Sequence, residues 1–340
     1  MKTTSWTMKL GWWGIGLMAT ITLLASVLAP NPPGRQFADR NFAPPMRVHI
    51  RDAGGFRAPF VYPQVLEDRL TRRYREDTTA PAPLSWWSGG RLVSLEGAAG
   101  PLLFLGADTY GRDLWSRLLF GAQLSLGVTA LGTIGALLLG AFAGGLAGSL
   151  GGRTDTILMS LADFVLVLPG VYLVLVLRAL LPFTLSTFEV FWLMALLFAF
   201  AAWPHVARGV RSIVATERSR DYAEAARAAG AGPLRLLRHL LPATRGFLIV
   251  ETVLLVPALL VAEATISYLG LGFPEPTPSW GTMLQTTANV QLMGEAPWML
   301  APAAALFILV LSVQLAGGAR ASANVLRLGR DRRAPISSRS

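Results

Sequence analysis

Residues 118–152 read LLFGAQLSLGVTALGTIGALLLGAFAGGLAGSLGG, a stretch without a single charged side chain. A helix crossing hydrocarbon needs about 20 largely apolar residues, because the core is about 30 Å thick and each residue rises about 1.5 Å. The stretch is too long for one crossing alone and is read as a crossing with an interfacial lead-in. Five further apolar runs accompany it: Leu10–Ala29, about Ile157–Leu177 with Asp163 inside, about Phe188–Pro204, about Gly246–Tyr268 with Glu251 and Glu263, and Ala296–Ala319. The fold expected from these runs is an all-α integral membrane protein of six transmembrane helices.

Composition points the same way. Of 340 residues, 53% are hydrophobic and only 15% charged, against about 25% charged in soluble domains. These values exclude a disordered chain and a coiled coil. With no cysteine there are no disulfides, iron–sulfur clusters or thiolate zinc sites. The first run is preceded by Lys2 and Lys9 as a signal peptide would be, but its length exceeds the roughly 7–15 residues of a signal core. It is read as a retained helix.

The net charge of +10 suits either nucleic acid or a membrane protein with basic inner loops, and its distribution decides for the membrane. With six crossings and both termini inside, the inner segments hold Lys2 and Lys9, Arg153, the arginines from Arg208 to Arg245, and those from Arg320 to Arg339. The outer segments 183–187 and 269–295 hold no basic residue, only Glu275 and Glu295. This is the positive-inside pattern. Residues 31–117 carry many arginines yet fall outside, which long translocated loops tolerate. Their first part is rich in Pro, Gly and Arg, with aromatics at Phe56, Phe60, Tyr62, Trp86 and Trp87. It reads as an extracytoplasmic subdomain or elaborated loop, either a docking surface or an insertion without a specific role. The chain thus divides into a tail and first helix (1–30), an extracytoplasmic insertion (31–103), a helical domain (104–320) and a basic cytoplasmic tail (321–340).

Segment 205–245 is the informative inner loop. Asp221-Tyr222-Ala223-Glu224-Ala225-Ala226-Arg227-Ala228-Ala229-Gly230 predicts a short helix. Alanine is the best helix former, Asp221 suits the N-cap or first turn, and Gly230 supplies a left-handed stop. Pro233 suits the first turn of a second helix, running Leu234–Leu241. The alanines leave the first helix nearly bare, so that a partner's backbone can approach, with Glu224, Arg218, Arg220 and Arg227 at the rim. An amphipathic helix resting on lipid headgroups is the alternative.

The run Glu224-Ala225-Ala226, with Gly230 and then Leu240-Leu241-Pro242, resembles the EAA loop of ABC importer permeases. The Gly230-to-Pro242 interval is one residue shorter than the family pattern. Leu105-Gly106-Ala107-Asp108-Thr109-Tyr110-Gly111-Arg112-Asp113-Leu114-Trp115-Ser116-Arg117, followed by Gly121-Ala122, is similar to the L-G-T-D-x-x-G-R-D-x-x-S-R stretch of dipeptide, oligopeptide and nickel permeases of the C type, with Ala107 in place of Thr. Glu263-Ala264-Thr265-Ile266-Ser267-Tyr268-Leu269-Gly270-Leu271-Gly272, leading into Pro276-Thr277-Pro278-Ser279-Trp280-Gly281, resembles a third signature of that group. The resemblance covers about 104–320. It implies a non-catalytic subunit in a bacterial or archaeal inner membrane, with both termini cytoplasmic, that binds no cofactor itself. The implied partners are a second homologous permease, two ATPases that bind ATP and Mg, an extracytoplasmic substrate-binding protein and membrane lipid, with no nucleic acid. It further implies ATPase coupling through Asp221, Tyr222, Ala223, Glu224, Ala225, Ala226, Gly230, Leu240 and Pro242. Asp108, Gly111, Arg112, Asp113, Glu263, Gly270 and Gly272 are outer-gate or signature residues. The solute implied is a peptide, or nickel or another small solute.

Individual polar residues add expectations. Glu263 either lines the outer mouth or bonds Ser267 one turn later. Glu251 is neutral or paired with an arginine such as Arg245. Asp155 and Asp163 are read as helix caps, and Pro169-Gly170 and Pro257 as helix breaks. His49, His205 and His239 are scattered. No H-E-x-x-H, phosphate-binding loop or G-x-S-x-G occurs, so the chain is not itself an ATPase, and an intramembrane enzyme is disfavoured. A transporter driven by an ion gradient is the alternative reading. It calls for inverted repeats and midplane ionisable groups, and only Glu251 and Glu263 could serve.

Overall fold

The computed structural model describes residues 3–52, 55–69, 71–95, 100–168, 176, 185–287 and 294–331; for 3–5, 233–234 and 318–331 the backbone alone is described. The uncharged stretch forms one helix, α3 (Leu114–Leu150), started by Asp113, whose side chain accepts the Trp115 N–H (3.1 Å). Its length is about 55 Å at the usual rise, so it extends well past the hydrocarbon core. Before it come α1 (Thr3–Leu23) and the short α2 (Ala25–Leu28). After it come α4 (Gly152–Val167), α5 (Thr187–Glu217), α6 (Asp221–Ala228), α7 (Pro233–Leu240), a single 3-10 turn, α8 (Arg245–Tyr268), α9 (Trp280–Gln285) and α10 (Ala301–Asp331).

Among the described residues, four helical stretches are long and apolar enough to cross a membrane: Leu114–Leu150, Thr187–Glu217, Arg235–Tyr268 and Pro297–Gly317. The first expected crossing forms α1, which packs along α10 through Gly11 and Gly14 against Ser312 and Ala316. The third expected crossing begins as α4, but the expected break at Pro169 and Gly170, and nearly all of 171–184, lie outside the described residues.

The α3–α5 pair forms the frame. Side chains would keep these helices apart, and the glycines of α3 remove that obstacle. A Cβ on Gly148 would stand 2.8 Å from the Arg211 carbonyl oxygen, and one on Gly144 would collide with the Ala207 carbonyl. Small residues four apart permit backbone-to-backbone approach, the main source of helix association in lipid. The same packing overturns one expected boundary. The fourth helix does not stop at Pro204 but runs on to Glu217, because buried Trp203, Val206, Ala207, Val210 and Val214 hold it against its neighbours past the proline. Pro257 likewise lies inside a continuous α8. Asp155 and Asp163 act across helices rather than only as caps. Asp155 accepts from Arg211 (Nε, 2.9 Å) and Asp163 pairs with Arg208, fastening α4 to α5. Glu251 is half-buried, and among the described residues no ion pair joins it to Arg245.

The all-α expectation is corrected by the insertion, which among the described residues forms six strands: β1 (Val48–Asp52), β2 (Gly55–Val61), β3 (Gln64–Asp68), β4 (Arg73–Glu76), β5 (Ala82–Ser88) and β6 (Arg91–Leu95). Strands β1-β2-β5-β6 make one antiparallel sheet, and β3–β4 a separate hairpin. The physical reason is visible in R-L-V-S-L and A-P-L-S-W-W-S: short runs of branched and aromatic residues around Gly89-Gly90, whose positive φ values (59° and 75°) build the tight hairpin turn. Its core joins Val61 and Ala82 to Ala43, Met46, Leu102, Leu103 and Ala107. The subdomain therefore continues past 103 and shares a core with the second signature stretch, 105–117.

Candidate functional site

The α6 site is built on the end of α5. After Glu217 the chain turns through Arg218–Arg220 into α6, and Tyr222 donates its hydroxyl to Glu217 (2.9 Å) while Arg220 pairs with the same carboxylate (3.2 Å). Gly230 (φ +80°) ends α6: its N–H bonds the Arg227 carbonyl (2.9 Å) and the Ala231 N–H bonds the Ala226 carbonyl (3.0 Å). This reciprocal pair is a Schellman cap, which needs a residue tolerant of the left-handed region. Asp221 lies in the first turn, not at the cap, which is Arg220.

The five alanines divide between two faces. Ala223 is fully buried among Val214, Leu236 and Leu240, and Ala226 is half-buried against the same cluster. Ala225, Ala228 and Ala229 are exposed beside Glu224, Tyr222 and Asp221. The bare face available to a partner is thus narrower than the sequence implied, because one alanine stripe packs on the chain itself. Leu240 is fully buried, facing the bundle and not outward. Pro242 is exposed and lines a shallow groove with Leu237, Arg238, Leu241 and Arg245. Leu237 of α7 lies against Gly145 of α3, where a Cβ would meet its Cδ1 at 2.6 Å, and Arg218 donates to the Leu150 carbonyl (3.3 Å). The α6–α7 unit is therefore keyed to α3 through Leu237 and to α5 through Tyr222 on Glu217 and Ala223 beside Val214.

The remaining signature residues form a second, distant group. Asp108 accepts the N–H groups of Tyr110 and Arg112 (2.9 Å each) and the Arg112 Nε (2.7 Å), and lies 3.4 Å from the Arg117 Nε. Arg112 also donates to Glu275 (2.5 Å), and Arg117 stands 3.5 Å from it. Two arginines and two carboxylates thus make a neutral quartet, buried except at Glu275. It joins the loop before α3 to the loop after α8. Arg117 and Glu275 are not among the site residues expected from the sequence. Their opposite charges, lying in two signature stretches with few other charges, were the available signal. Gly111 (φ +72°) faces the Phe37 carbonyl and lets residues 37–42 bond across the loop. Asp113 is fully buried, accepting from Trp115 N–H, Ser116 Oγ (2.5 Å) and Asn31 Nδ2 (3.1 Å). Burial nevertheless pushes its carboxyl up to about 6.

Glu263 is fully buried and accepts from Ser267 (2.8 Å), one turn later, as the structural alternative anticipated. Around it, Gly281 abuts Ala264 and Ser267, and Gly272 abuts Ser267. Ser279 opens α9 with a capping box shared with Thr282, and the Trp280 N–H donates to Ser125 (3.2 Å) and its indole to the Leu118 carbonyl (3.0 Å). Gly270 (φ +77°) makes the turn out of α8. The second and third signatures thus meet, whereas the α6 site remains separate from both. Among the described residues no group of His, Asp and Glu could hold a metal ion.

Residues 136–319 match the family model described as binding-protein-dependent transport system inner membrane component. The oligopeptide transport system permease protein OppC of Bacillus subtilis (strain 168) is 34% identical over 198 residues, 58% of this chain and 62% of that protein. A putative peptide transport system permease protein of Brucella suis biovar 1 (strain 1330) is 37% identical over 214 residues, 62% and 69% respectively. The di/tripeptide transport system permease protein DppC of Pseudomonas aeruginosa (strain UCBPP-PA14) is 35% identical over 238 residues, 69% and 73%. The match therefore spans a little under two thirds of the Bacillus relative, and the family model begins well after the β-stranded insertion.

Proposed function

Because the chain belongs to the family of binding-protein-dependent transport system inner membrane components, we propose that it is the C-type permease subunit of an ATP-driven importer of di- or oligopeptides. It pairs with a second permease, so that the path runs between them. Two cytoplasmic ATPases bind the ATP and Mg, and this chain contributes no cofactor or catalytic group. An extracytoplasmic binding protein delivers the solute. The chain crosses the inner membrane six times with both termini in the cytoplasm, which puts α6 on the ATPase side.

The observation that carries this reading is the split face of α6. One stripe, Ala223 and Ala226, is packed on α5 and α7, while Glu224, Ala225, Ala228 and Ala229 stand bare on a helix capped at Gly230. A free helix would move under a partner without moving anything else. This one is keyed to α3 through Leu237–Gly145 and to α5 through the Tyr222–Glu217 hydrogen bond and the burial of Ala223 with Val214, so a displacement of α6 is passed to helices that cross the membrane. ATP-driven closure of the ATPase pair then swings those helices between inward and outward access.

The test is reconstitution with the second permease, the ATPases and the binding protein. Glu224→Lys reverses the charge at the centre of the exposed face, and is expected to abolish ATP-driven peptide uptake and co-purification of the ATPase while the chain still inserts. Uptake at the wild-type rate by Glu224→Lys would overturn the assignment, and uptake driven by an ion gradient without ATP would favour a secondary transporter.

A further inference from the structure

The strand registers put two hairpin ends side by side. Asp52 pairs with Gly55 and Ser88 with Arg91, while Val48–Val61, Phe60–Pro83 and Leu84–Leu95 lie toward the opposite end. At the first end the turn Gly89-Gly90 is followed by Arg91, whose guanidinium donates to the Pro30 carbonyl, and β6 packs on α2. Pro30 directly follows the expected crossing Leu10–Ala29. Trp115 of α3, whose indole donates to the Leu28 carbonyl (3.3 Å), marks the same level. This hairpin therefore stands where the first helix leaves the hydrocarbon.

The side chains shown there are not those of a water-facing turn. Trp86 is 56% exposed, Trp87 73% and Phe56, on the adjoining hairpin, 83%. Trp87 takes φ +56°, a left-handed conformation that bulky side chains rarely adopt. Arg51 lies over the Phe56 ring (5.8 Å), and Arg91 faces Ser88 across the Gly89-Gly90 turn. Trp with neighbouring Arg is the combination that settles at the membrane–water interface: the ring takes the apolar side and the guanidinium pairs with lipid phosphate.

We propose that the 86–91 hairpin, with Phe56 beside it, is an interfacial anchor that seats Trp86 and Trp87 in the headgroup layer of the outer leaflet and fixes the sheet above the helical bundle. The occupant is lipid because the hairpin is continuous with the end of a membrane helix through Arg91 and Pro30. The inference rests on the membrane crossing of α1 and not on the transport role.

The chain has no cysteine, so a single spin label can be placed by Trp87→Cys or Trp86→Cys in the full-length protein. The label is read in nanodiscs of phosphatidylethanolamine and phosphatidylglycerol by its collision rates with oxygen and with a water-soluble nickel chelate. A label at 87 or 86 is expected to favour oxygen by several-fold over a control at the exposed Thr78→Cys, near the opposite end of the sheet. Equal chelate access at 87 and 78 overturns the proposal. A label that is aqueous in nanodiscs alone and shielded only when an extracytoplasmic protein is added overturns it in favour of a protein partner. Should either cysteine variant misfold, Trp86→Phe with Trp87→Phe gives a second reading: loss of the fraction of tryptophan fluorescence quenched by brominated lipid supports the anchor, and no change overturns it.

Discussion

Asp113 shows how one residue can serve a fold and weaken it at once. Its carboxylate starts α3 and ties Asn31 to the helix, yet burial raises its affinity for a proton to a midpoint of about 6. The folded chain then holds a proton that the unfolded chain releases near the ordinary 3.8, so this group's contribution declines as pH rises from about 4 through 6 and is constant above. Asp113→Asn is expected to remove that slope, which is at most about 3 kcal/mol in total; melting temperatures in detergent at pH 5 and 7.5 check it. Within the quartet, position decides the cost of a lost charge. Asp108→Asn leaves two buried guanidiniums with one carboxylate and is expected to cost about 3–5 kcal/mol. Glu275→Gln, half in water, is expected to cost far less. A thermal-shift series that ranked the two the other way would contradict the burial argument. Asp108, Arg112 and Glu263 could each be singled out from the sequence as polar groups in signature stretches. Which charge faces which was not legible, because Arg112 and Glu275 are 163 positions apart.

Among the elements, α6 and the α3–α5 pair carry the mechanical argument. The α6 helix and its Gly230 stop were readable, since alanine propensity and a left-handed cap are local properties. The division of its alanines was not, because Ala223 is buried by Leu236 and Leu240 from another helix. Gly230→Asp forces a side chain into φ +80° and frays the cap, and is expected to uncouple uptake from ATP hydrolysis while membrane insertion is retained; ATPase and uptake rates measured together check this. Gly144 makes a stricter case. Its neighbour is the Ala207 backbone, which cannot rotate away, so Gly144→Leu is expected to separate α3 from α5 and destabilise the bundle. An equally bulky change at Gly246 of α8, with nothing within contact distance, should be mild. Expression and melting of the two variants side by side decide it. The run-on of α5 past Pro204 shows the opposite limit: a proline read locally as a boundary is overridden once tertiary contacts hold the helix.

For the molecule as a whole, the question is how the β-stranded insertion is carried. Met46 donates to the Leu103 carbonyl (2.8 Å), so its two ends meet, while Phe37, Phe42 and Asn31 bond directly to the loop before α3. Replacing 48–100 with a short glycine link is therefore expected to leave a bundle that inserts and is recovered as a single species in detergent. A deletion beginning at 31 should not, because it strips partners from Gly111, Asp108 and Asp113. Size-exclusion profiles of the two deletions test that boundary. The order of residues along the chain was enough for the long apolar helices, the α6 stop and the family, because hydropathy and turn chemistry act between neighbours a few positions apart. The sheet was within reach through Gly89-Gly90 between alternating runs but was obscured by the arginine-rich composition around it. The charge quartet, the seating of Glu263, the inward face of Leu240 and the glycine contacts of α3 with α5 emerged only on folding. Each depends on a partner brought from a distant part of the chain, and burial, not spacing, sets its energy.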